Sequence, residues 1–216
     1  MNHLFSANNK LMGILEKIMN LAILNICFLI GCIPIVTVGA ALTALFCVNL
    51  RMVRGEESYV FRSYWKAFRK NFRQSTLLWL ITLVIGSGVF LNIYASTLIA
   101  GTGGFVFKII ASVLAILYAV FLIYIFAYAG WFEDRILTCI KNSMMIGICR
   151  PAYTFVLLFM QAAIVFVHIA DPELLIKSLI VWIVIGFALL NYIQSYFIRI
   201  LFSKYEDAAA DEIEES

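Results

Sequence analysis

The 216-residue chain is 63% hydrophobic and 13% charged, against about 45–50% and about 25% in ordinary soluble domains. A body of this size cannot hide that much apolar surface within itself, so lipid must be the solvent for most of it. A secreted domain, a cytosolic enzyme and a disordered scaffold are thereby excluded. The net charge of +3 says less than the placement of the charges. Cys27, Cys32, Cys47, Cys139 and Cys149 form no CxxC pair and precede no ligand-spaced histidines, which points to packed or free thiols.

About 20 apolar residues are needed to cross a bilayer core about 30 Å thick. In chain order, such stretches cover 11–33, 35–53, 75–100, 106–130, 152–170 and 174–198. Pro34 falls between the first two, where it favours a tight helical hairpin turning at Cys32-Ile33-Pro34-Ile35. Gly101-Thr102-Gly103-Gly104 signals a turn between the third and fourth stretches, and Asp171-Pro172-Glu173 separates the last two. The expectation is an all-α bundle of six spans within a single domain, 1–205. An acidic, disordered tail is expected over 206–216. A shallow first hairpin would reduce the count to four. No small-x-small cleavage site follows the first apolar run, so no removable leader is expected.

Lys and Arg set the orientation. Lys10, Lys17, Arg51, Arg54, Arg62, Lys66, Arg69, Lys70, Arg73, Arg135, Lys141, Arg150, Arg199 and Lys204 fall on one side of the six stretches. Only Lys108 and Lys177 fall on the other. Both termini are therefore expected in the cytoplasm.

Between the second and third spans, Phe61, Tyr64, Trp65, Phe68 and Phe72 share a helical arc of about 100°. Arg62, Lys66, Arg69, Lys70 and Arg73 occupy the adjoining arc. An aromatic face beside a basic one suits a short helix in the headgroup layer, where cations meet lipid phosphates. The same face could dock a protein partner. Arg62, Trp65, Lys66, Phe68, Arg69, Lys70, Phe72 and Arg73 are accordingly the candidate membrane-surface or docking residues. A second short amphipathic segment is expected over 134–150, with Ile136, Leu137, Ile140, Met144 and Ile148 on one arc.

No Asp, Glu, Lys or Arg lies at the centre of a span, where ionisable groups usually mark ion-coupled transport. Neutral Asn20, Asn25, Thr37, Thr43, Asn49, Asn92, Gln161, Asn191 and Gln194 serve as interhelical hydrogen-bonding groups or as the lining of a polar cavity. His168 reads as an interfacial hydrogen-bonding residue. No HExxH, GxSxG or phosphate-loop pattern is present. No catalytic, cofactor or metal residue is therefore expected.

Pro34-Ile35-Val36-Thr37-Val38-Gly39, Ala44-Leu45-Phe46, Arg54-Gly55-Glu56 and the run from Phe61 through Phe68-Arg69-Lys70-Asn71-Phe72-Arg73-Gln74 resemble the YesL-like family of bacterial membrane proteins. That family is a domain of unknown function whose members are about this length. Pro34, Thr37 and Gly39 take the place of its helix-hairpin bend, although Ala40 stands where the family commonly has proline. The resemblance implies a multi-pass protein of the bacterial cytoplasmic membrane, often encoded beside importers and enzymes for plant oligosaccharides. It carries no catalytic or binding residue over. The reading is a non-enzymatic accessory to carbohydrate uptake by an ATP-driven importer. Its expected partners are anionic lipid headgroups, ABC-type sugar importer subunits and a second copy of the chain, with no nucleic acid. The alternatives are a substrate-binding transporter subunit or small permease, and a structural or lipid-sensing membrane protein.

Overall fold

A computed structural model describes residues 2–56, 59–99 and 101–214. The described residues form eight α-helices and no strand: α1 (Asn2–Cys32), α2 (Val38–Arg54), α3 (Val60–Leu98), α4 (Gly101–Trp131), α5 (Ile136–Cys149), α6 (Pro151–Ala170), α7 (Pro172–Val181) and α8 (Phe187–Glu214). A 3-10 turn, Ile35–Thr37, joins α1 to α2, and a π-helical turn, Trp182–Gly186, joins α7 to α8. Six helices are long and apolar enough to cross a membrane. The protein is a multi-pass membrane protein.

The first hairpin turns at the expected proline. The Thr37 hydroxyl shares its one proton between the Gly31 carbonyl at 2.7 Å, which the bend frees, and the Pro34 carbonyl at 2.8 Å, which also accepts from the Thr37 N–H. Trp79 then ties α3 to the bend, its indole N–H donating to the Ile35 carbonyl at 2.9 Å. Close packing continues along Gly39, Ala40, Ala41 and Ala44, all buried. A Cβ on Gly39 would collide with the Ser75 carbonyl of α3 and lie 2.5 Å from the Trp79 Cβ, so glycine lets the two backbones meet.

At its other end α2 stops on Gly55, which adopts φ +76°. The Gly55 N–H donates to the Met52 carbonyl and the Glu56 N–H to the Arg51 carbonyl, both at 3.1 Å. This is a glycine-terminated helix cap, and it explains the Arg54-Gly55-Glu56 signature. Arg54 pairs with Glu56 at 3.3 Å and lies 4.4 Å above the Trp131 ring. Arg199 of α8 donates to the Val53 carbonyl at 2.8 Å and closes the same helix end.

Three boundaries and one helix face differ from the sequence expectation. The segment 60–74 is no separate interfacial helix: α3 runs unbroken from Val60 to Leu98, about 58 Å at 1.5 Å per residue. No glycine or proline interrupts it before Gly86, and burial of Tyr64 and Ala67 holds the early turns against α1 and α2. Gly101, Gly103 and Gly104 begin α4 instead of forming a loop; a Cβ on Gly104 would strike the Ile99 carbonyl, so the glycine permits a tight reversal. The expected tail is helical through Glu214, since 206–214 contain alanines and no helix breaker. Ala100, which closed the third expected span, and residues 215–216 lie outside the described residues. The buried face of α5 differs from the expected arc: Cys139, Ser143, Ile146 and Gly147 are buried while Leu137 and Ile148 are exposed.

Two adjoining cores hold the bundle. One packs Leu78, Tyr124, Phe126, Tyr128, Leu157, Ile198 and Phe202. The other packs Leu24, Cys27, Phe28, Ala41, Leu45, Tyr64 and Ala188. The bend beside Trp79 leaves residues 83–98 of α3 past the hairpin, where Ser96 alone is buried. Val84, Phe90 and Leu91 on that stretch, with Phe155, Phe159 and Phe166 on α6, are largely exposed. Such faces suit contact with acyl chains.

Candidate functional site

The aromatic-basic segment divides into an inward and an outward part. Tyr64 is fully buried, while Trp65 and Phe68 are half-buried against the second core. Phe61 and Phe72 remain exposed, as do Arg62, Lys66, Arg69, Lys70 and Arg73. Ring centroids of Phe61–Trp65, Trp65–Phe68 and Phe68–Phe72 stand 6.5, 5.4 and 5.6 Å apart, giving a continuous aromatic ladder. Phe61, Arg62, Trp65, Lys66 and Arg69 together line an open groove. Arg62, Lys66, Arg69 and Arg73 make no ion pair among the described residues.

Lys70 and Gln74 serve a different purpose. Lys70 pairs with Glu133, and the Gln74 amide donates to the Asp134 carbonyl at 2.7 Å and to Cys139 Sγ at 3.3 Å. Tyr128 donates to the Asp134 carboxylate at 2.6 Å, and Asn142 donates to Tyr128 Oη at 2.7 Å. The end of the aromatic-basic run therefore clamps the α4–α5 connection. The hydrogen bond and positive charge of Lys70 hold the Glu133 carboxyl below its ordinary value. Burial, reinforced by the nearby Asp134 charge, pushes the Cys139 thiol up to about 11.

The intramembrane amides form two groups. Asn25 donates to the carbonyls of Trp182 (3.0 Å) and Ile183 (2.6 Å) and accepts from the Ala188 N–H at 2.9 Å. A π-turn displaces helical hydrogen bonding, and Asn25 bonds two carbonyls inside it and the N–H of Ala188 just after it. Beside it, Asn49 donates to Asn191 Oδ1 at 2.7 Å and to the Ala188 carbonyl at 3.3 Å. Asn20 and Asn92 lie outside this cluster. Sequence reasoning marked these amides but had no signal for the π-turn that organises them.

Gln161, His168, Asn191 and Gln194 form the second group, on the wall of a cavity of about 810 Å³ between α6 and the helices α1, α2, α4 and α8. The remaining lining is almost wholly apolar, including Phe28, Leu42, Phe46, Leu122, Phe126 and Phe187. His168 Nδ1 lies 2.7 Å from the Ile164 carbonyl, and its Nε2 accepts from the Trp182 indole N–H at 3.2 Å. The Ser178 hydroxyl lies 3.2 Å from the same Nε2. Both ring nitrogens are thus occupied. The cavity exists because α6 is loosely attached, burying only Thr154 and Leu157 at its first turns.

Residues 21–93 match the family described as "Protein of unknown function, DUF624". The match runs from α1 through the bend, the Gly55 cap and the aromatic-basic run into α3, and the YesL-like resemblance is consistent with it. No curated protein and no solved structure matches the chain.

Proposed function

We propose that this multi-pass membrane protein, whose residues 21–93 carry the DUF624 pattern, is a non-enzymatic accessory subunit of carbohydrate uptake in the bacterial cytoplasmic membrane. Its aromatic-basic groove docks onto the cytoplasmic side of an ATP-driven importer. The observation that carries this reading is the groove: Arg62, Lys66 and Arg69 flank Phe61 and Trp65 with no internal ion pair among the described residues. Aromatic and arginine side chains are the usual anchors of protein interfaces. The resemblance to the YesL-like family supplies the carbohydrate connection. The fourteen-to-two distribution of Lys and Arg supports a cytoplasmic placement of the groove and of both termini.

Affinity capture of the tagged chain from sugar-grown cells in mild detergent tests the reading. Importer subunits should co-purify, and the triple reversal Arg62→Glu, Lys66→Glu, Arg69→Glu should release them. Recovery of no importer subunit with the wild-type chain rejects it. A second reading, a substrate-binding transporter subunit, draws support from the cavity beneath α6. A sugar needs many hydrogen-bonding groups, and this wall offers four polar side chains, so the accessory reading stands ahead.

A further inference from the structure

We propose that the α1–α2 hairpin is re-entrant: its tip, Ile33-Pro34-Ile35-Val36, ends among acyl chains in the leaflet nearer the basic face of α3. Two of the six apolar helices then enter and leave the bilayer on one side. The tip lies apart from the aromatic-basic groove, and the proposal stands whether or not an importer docks there.

The register of the hairpin against α3 carries it. Two features mark the height at which headgroups meet α3. The exposed cations Arg62, Lys66, Arg69, Lys70 and Arg73 end at Arg73, and no charged residue follows as far as Leu98. The polar α4–α5 connection is fastened at the same height, Glu133 by Lys70 and Asp134 by Gln74. The hairpin turns beside Trp79, whose indole N–H donates to the Ile35 carbonyl and whose Cβ would lie 2.5 Å from a Cβ on Gly39. Trp79 stands only about 9 Å past Arg73 at 1.5 Å per residue. A bend emerging on the far side would stand about 30 Å past the headgroups, level with Ile93.

The tip itself suits hydrocarbon. Ile33 is 77% exposed and Ile35 74%, with Pro34 and Val36 exposed beside them. Four consecutive exposed apolar residues are out of place in water. Backbone groups at membrane depth need internal partners. Here the Gly31 and Pro34 carbonyls share the Thr37 hydroxyl, and the Ile35 carbonyl takes the Trp79 N–H. Exposed isoleucines continue along α1 at helical spacing through Ile30, Ile26 and Ile23. From Ile33 to Ile23 they cover about 15 Å, half of a hydrocarbon core about 30 Å thick. Both lengths leave the tip within the near leaflet.

Nitroxide accessibility in the full chain tests this. Cys32→Ala and Cys149→Ser remove two thiols that are not fully buried, leaving Cys27, Cys47 and Cys139 buried. Ile35→Cys, Val84→Cys and Tyr59→Cys, all at exposed positions, are added singly and spin-labelled, and label taken up by the background alone is subtracted. Each protein is placed in phosphatidylcholine–phosphatidylglycerol nanodiscs, which open both faces to water. Collisions with oxygen, which concentrates in hydrocarbon, are compared with collisions with a water-soluble nickel chelate. Nickel collisions at Ile35→Cys and Val84→Cys should be several-fold lower than at Tyr59→Cys. The oxygen-to-nickel ratio should be highest at Val84→Cys, about 17 Å past Arg73 and so near the midplane. A hairpin that crosses would leave Val84 beyond the bend, so nickel collisions at Val84→Cys equal to those at Tyr59→Cys overturn the proposal. So do equal nickel collisions at Ile35→Cys, or a higher ratio there than at Val84→Cys. Low collisions with both reagents at Ile35→Cys mean that protein, such as a second copy, covers the tip, and this also overturns it. If Ile35→Cys does not elute as a single species, Ile33→Cys on the same tip decides by the same criteria.

Discussion

Asn25 bridges two carbonyls of the π-turn and the Ala188 N–H at the start of α8 within a lipid-surrounded bundle. Single interhelical hydrogen bonds in membranes contribute about 0.6 kcal/mol on average, but here loss of one side chain removes three hydrogen bonds at once. Asn25→Leu should therefore destabilise the protein by about 1–3 kcal/mol, measured by unfolding in mixed micelles, whereas Asn20→Leu should have little effect. Gly39→Val should cost about 1–3 kcal/mol through steric overpacking against Ser75 and Trp79, read by the same assay. Cysteine reactivity separates two thiols on α5. Cys149 is exposed, whereas Cys139 is buried and its thiol is pushed up to about 11. Maleimide at pH 7 should modify Cys149 and leave Cys139 untouched until the fold is opened. The residue types were legible in the sequence. Which amide met which backbone group was not, because the partners of Asn25 lie 157 to 163 positions away.

The α4–α5 connection is held by Lys70–Glu133 and by Gln74 on Asp134 and Cys139. Glu133 has a lowered folded-state value, so its contribution is present above the ordinary carboxylate range and disappears as pH falls through that lowered value. Both partners are solvent-exposed, so the effect should be small and salt-sensitive. Relative to the intrinsic exchange rate at each pH, the protection of amides 132–136 should fall modestly on acidification, and Glu133→Gln should remove that fall. Gln74→Leu should speed exchange at neutral pH, because it releases a backbone carbonyl that no charge replaces. The helical periods of α1, α2 and α6 could be read directly from apolar spacing. The continuity of α3 could not: its charged first half reads as an interfacial helix until burial of Tyr64 and Ala67 shows that it packs against the α1–α2 hairpin.

For the whole molecule, orientation is a matter of charge, and Cys149 offers a native probe of it. The proposed cytoplasmic placement of Arg135, Lys141 and Arg150 predicts that a membrane-impermeant maleimide labels Cys149 in inverted vesicles and not in intact cells. Labelling from outside would reverse the orientation argued from Lys and Arg. The membrane class, the six apolar helices and the proline bend were determined by the sequence alone. Each depends on local composition or short-range periodicity, which one chain displays in full. The tertiary structure decided the register of the hairpin against Trp79, the π-turn capped by Asn25, the clamp on the α4–α5 connection and the cavity beneath α6. These depend on how far one helix slides and tilts against another. Many alternative packings of such apolar surfaces bury similar areas, and the choice rests on a few glycines and amides that meet only after the chain has folded.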